Sequence, residues 1–576
     1  MRGRSVLWLA TAAVVVSGCA AGAQEEPADL VLLNGRVVTV DSARPEAEAV
    51  AVIGDRIAAV GSTEEIRARV GPETRVIDLD GRLAVPGFIE GHAHFYGLGQ
   101  ARLDLDLTTA SSWDEIVARV EDAVSRSEPG EWISGRGWHQ EKWDSLPEGA
   151  VEGVPTHHSL SAVSPDNPVL LTHASGHASV ANQRALELAG IDRDYRSRPG
   201  GEVVRDADGA PTGLLRENDQ DPVEEAEARS RADMTDADRE ARFRRVVDLA
   251  SREALSKGVT TFHDAGADFE RIDGYRRLAE SGELPIRLYV MVRAESNEAM
   301  AARLPAYRMI GAGDNRLTVR SIKRQIDGAL GSHGAWLLEP YADLPSSNGL
   351  VLEPVEEIER TAEIAIEHGF QVNTHAIGDR ANREVLDLYQ RVFDRHAGQT
   401  DLRWRIEHAQ HLHPEDIARF AELGVIASMQ GIHATSDAPW VPRRLGEERA
   451  GEGAYRWQDL WQTGAMVTNG TDAPVEDVDP IASFWASVTR RLPDGGTFDP
   501  DQRLSREQAL RSYTLNNAYA AFEEELKGSI TPGKLADIVV LSHDILEVPE
   551  SEIRDARVVL TILGGDVVYQ DEGGGG

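Results

Sequence analysis

The chain has 576 residues, of which 41% are hydrophobic, a length beyond what one core ordinarily serves and a composition usual for a soluble enzyme. Its 96 acidic and 60 basic side chains give a formal charge of −36, which repels phosphate backbones and anionic headgroups and excludes nucleic acid as a natural partner. The single cysteine, Cys19, excludes an internal disulfide and a cysteine-held zinc, so any metal must be bound through nitrogen and oxygen.

The N-terminus accounts for that cysteine. Arg2 and Arg4 precede an apolar stretch from Val6 to Val16, too short to span a bilayer comfortably, and Ser17-Gly18-Cys19-Ala20 follows. The pattern resembles a bacterial lipoprotein signal, with residues 1–18 removed, Cys19 lipidated, and residues 19–28 left as a tether for an exported protein attached to a membrane only by that lipid. An ordinary secretory signal cleaved near Ala20 to Ala23 is the alternative.

Short β-type runs come next. Asn34-Gly35 between Leu30 to Leu33 and Val37 to Val40 predicts a hairpin, and Gly54-Asp55 between Ala49 to Ile53 and Ile57 to Val60 predicts a second. The C-terminus has the same character, in Ala536 to Leu541, Val558 to Leu563 and Val567 to Tyr569. Residues 29–85 and 525–571 together are expected to form one small β-sandwich domain, followed by a disordered tail at Gly573 to Gly576.

Between these ends, apolar β-runs alternate with helical stretches, the rhythm of βα units. The predicted strands are Phe88 to His94, Val259 to His263, Arg287 to Val292, Val319 to Lys323, Gln371 to His375, Trp404 to His408, Val425 to Met429 and Met466 to Thr471. Eight units predict an α/β TIM-type (β/α)8 barrel over residues 86–524, with its active site where the strands end. Residues 97–245 break the repeat and are read as an inserted subdomain over the barrel mouth.

Polar residues recur at the predicted strand ends. His92 and His94 lie two apart on the first strand and so share a face, which lets both imidazoles reach one ion. His375, His408 and Asp472 close later strands, where a buried His or Asp without a partner is costly. Lys323 closes the fourth. As an ammonium it repels a cation and pairs with a carboxylate; carbon dioxide added to its amine gives an anionic carbamate instead.

The ordered series His92-x-His94, Lys323 with Asp327-Gly328, Asn373-Thr374-His375-Ala376-Ile377-Gly378-Asp379, Arg405-Ile406-Glu407-His408-Ala409-Gln410 and Gly470-Thr471-Asp472-Ala473-Pro474-Val475 resembles the amidohydrolase superfamily, in its YtcJ-like branch that includes N-substituted formamide deformylases. The resemblance runs from about Leu30 to Tyr569 and includes Gly533-Lys534-Leu535-Ala536-Asp537-Ile538-Val539. It implies a pair of divalent ions, zinc by choice, with a one-metal site as the alternative. His92, His94 and Asp472 would hold the first ion and His375 and His408 the second, with carboxylated Lys323 between them. The implied reaction is attack of metal-bound hydroxide on an amide, formamide or cyclic amide, with Asp472 shuttling the proton. An ester or lactone hydrolase and a non-catalytic, metal-binding solute receptor are the alternatives.

His177, in Ser175-Gly176-His177-Ala178, matches a segment of the same family and is a candidate donor to the developing oxyanion, with a structural histidine as the equal alternative. Trp138, His139 and Asp327 are candidate substrate contacts, His263-Asp264 a support for the metal ligands, and His333, His411 and His413 local hydrogen-bonders. A homodimer is the default for a large soluble enzyme.

Overall fold

The computed structural model describes residues 26–571 apart from Glu148, Asp233 and Pro493. The segment expected to be a lipoprotein signal, Cys19 and the glycine tail lie outside the described residues. Among those residues no helix is long and apolar enough to cross a membrane.

Eight parallel strands form the central sheet: Phe88–Ala93, Val259–Ala267, Arg287–Val292, Leu317–Gln325, Gln371–Ala376, Arg405–His408, Ile426–Gln430 and Val467–Gly470. All coincide with the predicted runs. The second and fourth extend past their expected ends because their neighbours continue to pair with them, Ala267 with Val292 and Gln325 with His375. Lys323 therefore stands two residues inside its strand instead of closing it.

The first and eighth strands close the barrel through side chains and loop backbone. Asp472 N–H donates to the His92 carbonyl at 2.8 Å and His94 N–H to the Ala473 carbonyl at 2.7 Å. Buried Glu90 accepts both the backbone N–H (2.7 Å) and the hydroxyl (3.0 Å) of Thr471. The Asn517 amide donates to the carbonyls of Ile89 (2.6 Å) and Asn469 (2.8 Å). This seam needs close backbone approach: a Cβ on Gly470 would lie 2.3 Å from Glu90 Oε1 and 2.6 Å from the His92 nitrogen. It also locks the loop that carries Asp472 beside the strand that carries His92.

Amphipathic helices cover the barrel. The helix Asp379–Arg395, for example, buries Val385, Leu388, Tyr389 and Val392 on one face, at the i, i+3, i+4, i+7 spacing that turns one stripe inward.

Both termini build the small sheet domain, in which Leu83–Pro86 pairs antiparallel with Ile538–Leu541. A buried two-pronged ion pair fastens it to the barrel, Arg287 Nε to Asp537 Oδ2 at 2.8 Å and Nη2 to Oδ1 at 3.0 Å. The hairpin across Gly54-Asp55 is present. The one expected at Asn34-Gly35 is not: Leu30–Leu33 pairs with Ala49–Ile53 and Arg75–Asp78, whereas Arg36–Val38 joins the second sheet. Leu30–Leu33 is buried along its whole length, so the turn carries the chain from one layer into the other. Ala28, placed by sequence in the tether, is 3% exposed and bonded to Arg69, so the packed domain starts there.

The insertion forms its own mixed sheet from strands Leu105–Asp106, Ile133–Trp138, Val169–His173, Ala178–Ala181, Gly201–Arg205 and Pro211–Glu217. It reaches over the C-terminal rim, so that its His177 and barrel residues His408 and Asp472 line the same cavities.

Candidate metal centre

His92 is 0% exposed, and its Nδ1 faces Glu407 Oε2 at 2.5 Å. That carboxylate fixes the proton on Nδ1 and turns the Nε2 lone pair inward, the usual arrangement behind a metal-bound imidazole. His94 follows just past the strand, at the N-cap position of the helix Phe95–Ala101, whose first N–H is held by Asp264 at 3.2 Å. Asp472 Oδ1 lies 3.3 Å from His94 Nε2 and 3.6 Å from His92 Nε2. One ligand atom from each of the three residues falls within 4.8 Å of the others.

Burial lowers both imidazoles, His94 to about 4, which keeps them neutral and free to donate a lone pair at neutral pH. Burial works the other way on Asp472, but the adjacent His94, then His92, overcome it and hold that carboxyl well below its usual range.

His375 and His408 stand beside this trio. The His92 and His408 rings are 4.7 Å apart and the His375 and His408 rings 4.4 Å. His408 Nδ1 is held by Gln430 Oε1 at 2.8 Å. Lys323 is 3% exposed and shares a cavity wall with His94, His375, His408 and Asp472. Burial first, then the charge of Arg293, lowers its ammonium to about 8. His408 (φ 77°) and Asp472 (φ 57°) both hold left-handed backbone, a strain of roughly 1–3 kcal/mol each that clusters at functional sites.

The donor set fits a metal. His92 Nε2, His375 Nε2 and Asp472 Oδ1 are buried with no hydrogen-bond partner, a cost of about 1–3 kcal/mol apiece unless a ligand repays it. Neutral imidazoles and a carboxylate at the carboxyl ends of parallel strands suit a divalent ion of the zinc type.

His177 reaches the rim from the insertion. Its ring lies 5.4 Å from that of His375, and Glu217 Oε2 holds its Nδ1 at 2.7 Å. Burial lowers His177, yet the Glu217 carboxylate more than offsets this and raises it above the ordinary histidine value. The centre lies between two cavities. One, of about 420 Å³, is polar and includes Arg136 and Arg293; the other, of about 390 Å³, includes Leu330, Ile377, Pro439 and Trp440.

Two expected substrate contacts are corrected. Trp138 is 1% exposed in the core of the insertion, its indole N–H bonded to the Leu171 carbonyl at 2.8 Å, and it lines neither cavity. Asp327 is fully buried and accepts the backbone N–H groups of Ile377, Gly378 and Trp336, so it organises the loop after the fifth strand. His139 does border the second cavity. His263 meets Arg405 at 3.3 Å beneath the centre, a supporting place. His333 bonds to Asp343 and His413 caps a helix, but both ring nitrogens of His411 are buried without a partner. Sequence reasoning passed over Glu407, although its place next to His408 puts it on the opposite face of the strand, inside the barrel beneath the ligands. It also passed over Glu217, Gln430 and His433, for which no motif spoke.

A parallel barrel whose C-terminal rim gathers neutral histidines, an ionised aspartate and a lysine has the architecture of a metal-dependent hydrolase. The chain belongs to the amidohydrolase family, which its residues 75–569 match. It is 31% identical over 549 residues to the putative amidohydrolase YtcJ of Bacillus subtilis (strain 168), covering 93% of this chain and 98% of that protein. It is 29% identical over 554 residues to the N-substituted formamide deformylase of Arthrobacter pascens, covering 95% and 99%. Among solved structures, an uncharacterized metal-dependent hydrolase from Pyrococcus horikoshii OT3 superposes with a TM-score of 0.71 at 28% identity, over 91% of this chain and 99% of that one. The protein is thus a metal-dependent amidohydrolase of the YtcJ-like branch.

Proposed function

We propose that the enzyme hydrolyses the C–N bond of a small amide, formamide or cyclic amide at a pair of zinc ions. His92, His94 and Asp472 would hold one ion, His375 and His408 the other, with a carbamate on Lys323 between them. Bound there, the ions supply Lewis acidity, lowering the pKa of a water to about 7 and drawing charge from the scissile carbonyl.

The chain's own groups do the rest. The lowered Lys323 value leaves a useful fraction of free amine near neutral pH, which forms an N–C bond to carbon dioxide and releases a proton, leaving the anionic carbamate. The Asp472 carboxylate accepts the proton of the attacking water and returns it to the departing nitrogen, which is too basic to leave as an anion. His177, oriented by Glu217, whose carboxylate favours its protonated form, donates to the carbonyl oxygen as it gains charge.

The observation that carries this reading is the unpartnered Oδ1 of Asp472 between the His92 and His94 imidazoles, the first of them oriented from behind by Glu407. The name of the Arthrobacter relative supports formamides as the first substrates to try. The test is hydrolysis of N-substituted formamides, simple amides, cyclic amides and matched esters by zinc-loaded and metal-stripped protein. Amide turnover that needs zinc and exceeds ester turnover relative to each uncatalysed rate is expected; turnover of esters alone would overturn it. The same reading takes Cys19 as the lipid anchor, and fatty-acid incorporation lost in Cys19→Ser tests that.

A further inference from the structure

The second cavity holds a polar group that the reaction above does not use. His433 begins a short helical turn, His433–Ser436, after the seventh barrel strand and is 5% exposed. The Gln410 amide lies 3.1 Å from its Nδ1, so Nδ1 accepts and Nε2 carries the hydrogen. That Nε2 has no partner. Of the described residues lining the cavity, only His433 Nε2 and Asp472 Oδ1 are buried side-chain polar atoms left unbonded. Among the other polar groups of that wall, Asp437 takes the Tyr455 hydroxyl at 2.6 Å, Thr435 donates to Ile432, and His173 bonds Ser175 and Gln140. The same cavity is lined by Leu330, Ile377, Pro439 and Trp440, with Glu141, Lys142, Asp437 and Glu476 also on its wall.

A buried donor in a largely apolar cavity discriminates between ligands, because one without an acceptor leaves it desolvated and unpaired, whereas an isosteric ligand with one completes it. The volume, about 390 Å³, is ample for a ring-bearing group. Since His408 and Asp472 line the same space, a group lodged there is attached to the bond being broken.

We propose that this cavity selects the substrate: it takes a compact apolar group, ring-sized, that carries one hydrogen-bond acceptor, and His433 Nε2–H donates to that acceptor. The proposal rests on the hydrolase reading for what lies at the metal centre, but not for whether the cavity binds. His433 is a specificity residue and takes no part in bond cleavage.

Isosteric pairs that differ by one ring nitrogen test it: phenylacetamide against 3-pyridylacetamide for the acyl side, acetanilide against 3-acetamidopyridine for the amine side. Calorimetric affinities are measured on zinc-loaded Asp472→Asn protein, so that binding is read without turnover. In at least one pair the pyridyl member binds about tenfold tighter, the ratio that 1.4 kcal/mol gives. His433→Leu abolishes that ratio, and His433→Gln, which keeps an N–H, retains part of it. Equal affinities within both pairs, or a ratio unchanged in a folded His433→Leu protein, would overturn the proposal. Turnover of the same four compounds by the wild type reports separately on the hydrolase reading: selective binding without hydrolysis sustains the cavity and sinks the reaction.

Discussion

Glu407→Gln isolates what the barrel contributes behind the metal. The Glu407 carboxylate lies 2.5 Å from His92 Nδ1, with both side chains 0% exposed, and 3.9 Å from the Arg405 guanidinium. Burial alone would raise its pKa, but the neighbouring His92, then Arg405 and Lys323, hold it below the ordinary value, so it is ionised at neutral pH. A hydrogen bond to an ionised partner contributes roughly 1.5–3 kcal/mol, against about 1 for a neutral one. Glutamine preserves the shape, and its oxygen still accepts from Nδ1, so the substitution removes the difference, roughly 0.5–2 kcal/mol. That corresponds to about 2- to 30-fold weaker zinc binding, its upper part overlapping the ~10–100-fold seen when groups orienting metal-bound histidines are changed. Chelator competition at fixed pH reads this directly. Zinc affinity unchanged within about twofold in a normally folded Glu407→Gln protein would refute the claim that this carboxylate sets the His92 tautomer.

Three more outcomes are expected. Asp472→Asn retains most of its zinc and its melting temperature but loses at least ~10³-fold in kcat, because the amide cannot carry the proton; near-normal kcat would remove Asp472 from that role. Lys323→Ala loses metal and regains part of its activity with added acetate or propionate, whereas unchanged metal content would show that Lys323 is no ligand. In the metal-free protein the His177–Glu217 pair gives a pH-dependent stability. The folded His177 value is raised, so the contribution is complete below the unfolded value of about 6.5 and is lost as pH rises through the folded one. Glu217→Gln therefore destabilises more at pH 5.5 than at pH 9 in denaturant titrations, and an equal effect at both would contradict the pairing.

Much of the barrel was legible because parallel strands buried on both sides read as short apolar runs, and several of the eight end near a polar residue that packing alone does not explain. His92, His94, His375, His408 and Asp472 were visible for that reason. Residues that act through tertiary contacts were not: Glu217 comes from the insertion, and its meeting with His177 depends on how strand Pro211–Glu217 pairs with Ala178–Ala181. His433 owes its place to a turn with no repeating pattern. Trp138 looked like a pocket aromatic because composition does not distinguish a ring facing a cavity from one facing a core, and the register of its strand turns it inward. Asn34-Gly35 satisfied the local rule for a hairpin, but burial of Leu30–Leu33 on both faces demanded partners from elsewhere.

The account stands or falls on five side chains and a lysine, spread from position 92 to position 472, meeting around metal. A crystal structure of the zinc-loaded protein with anomalous data collected across the zinc edge tests this most directly. Two peaks are expected at the carboxyl rim of the barrel, one against His92, His94 and Asp472 and one against His375 and His408, with density for a carboxylated Lys323 between them. Zinc bound elsewhere, or a rim with no anomalous signal in protein that retains zinc, would contradict it.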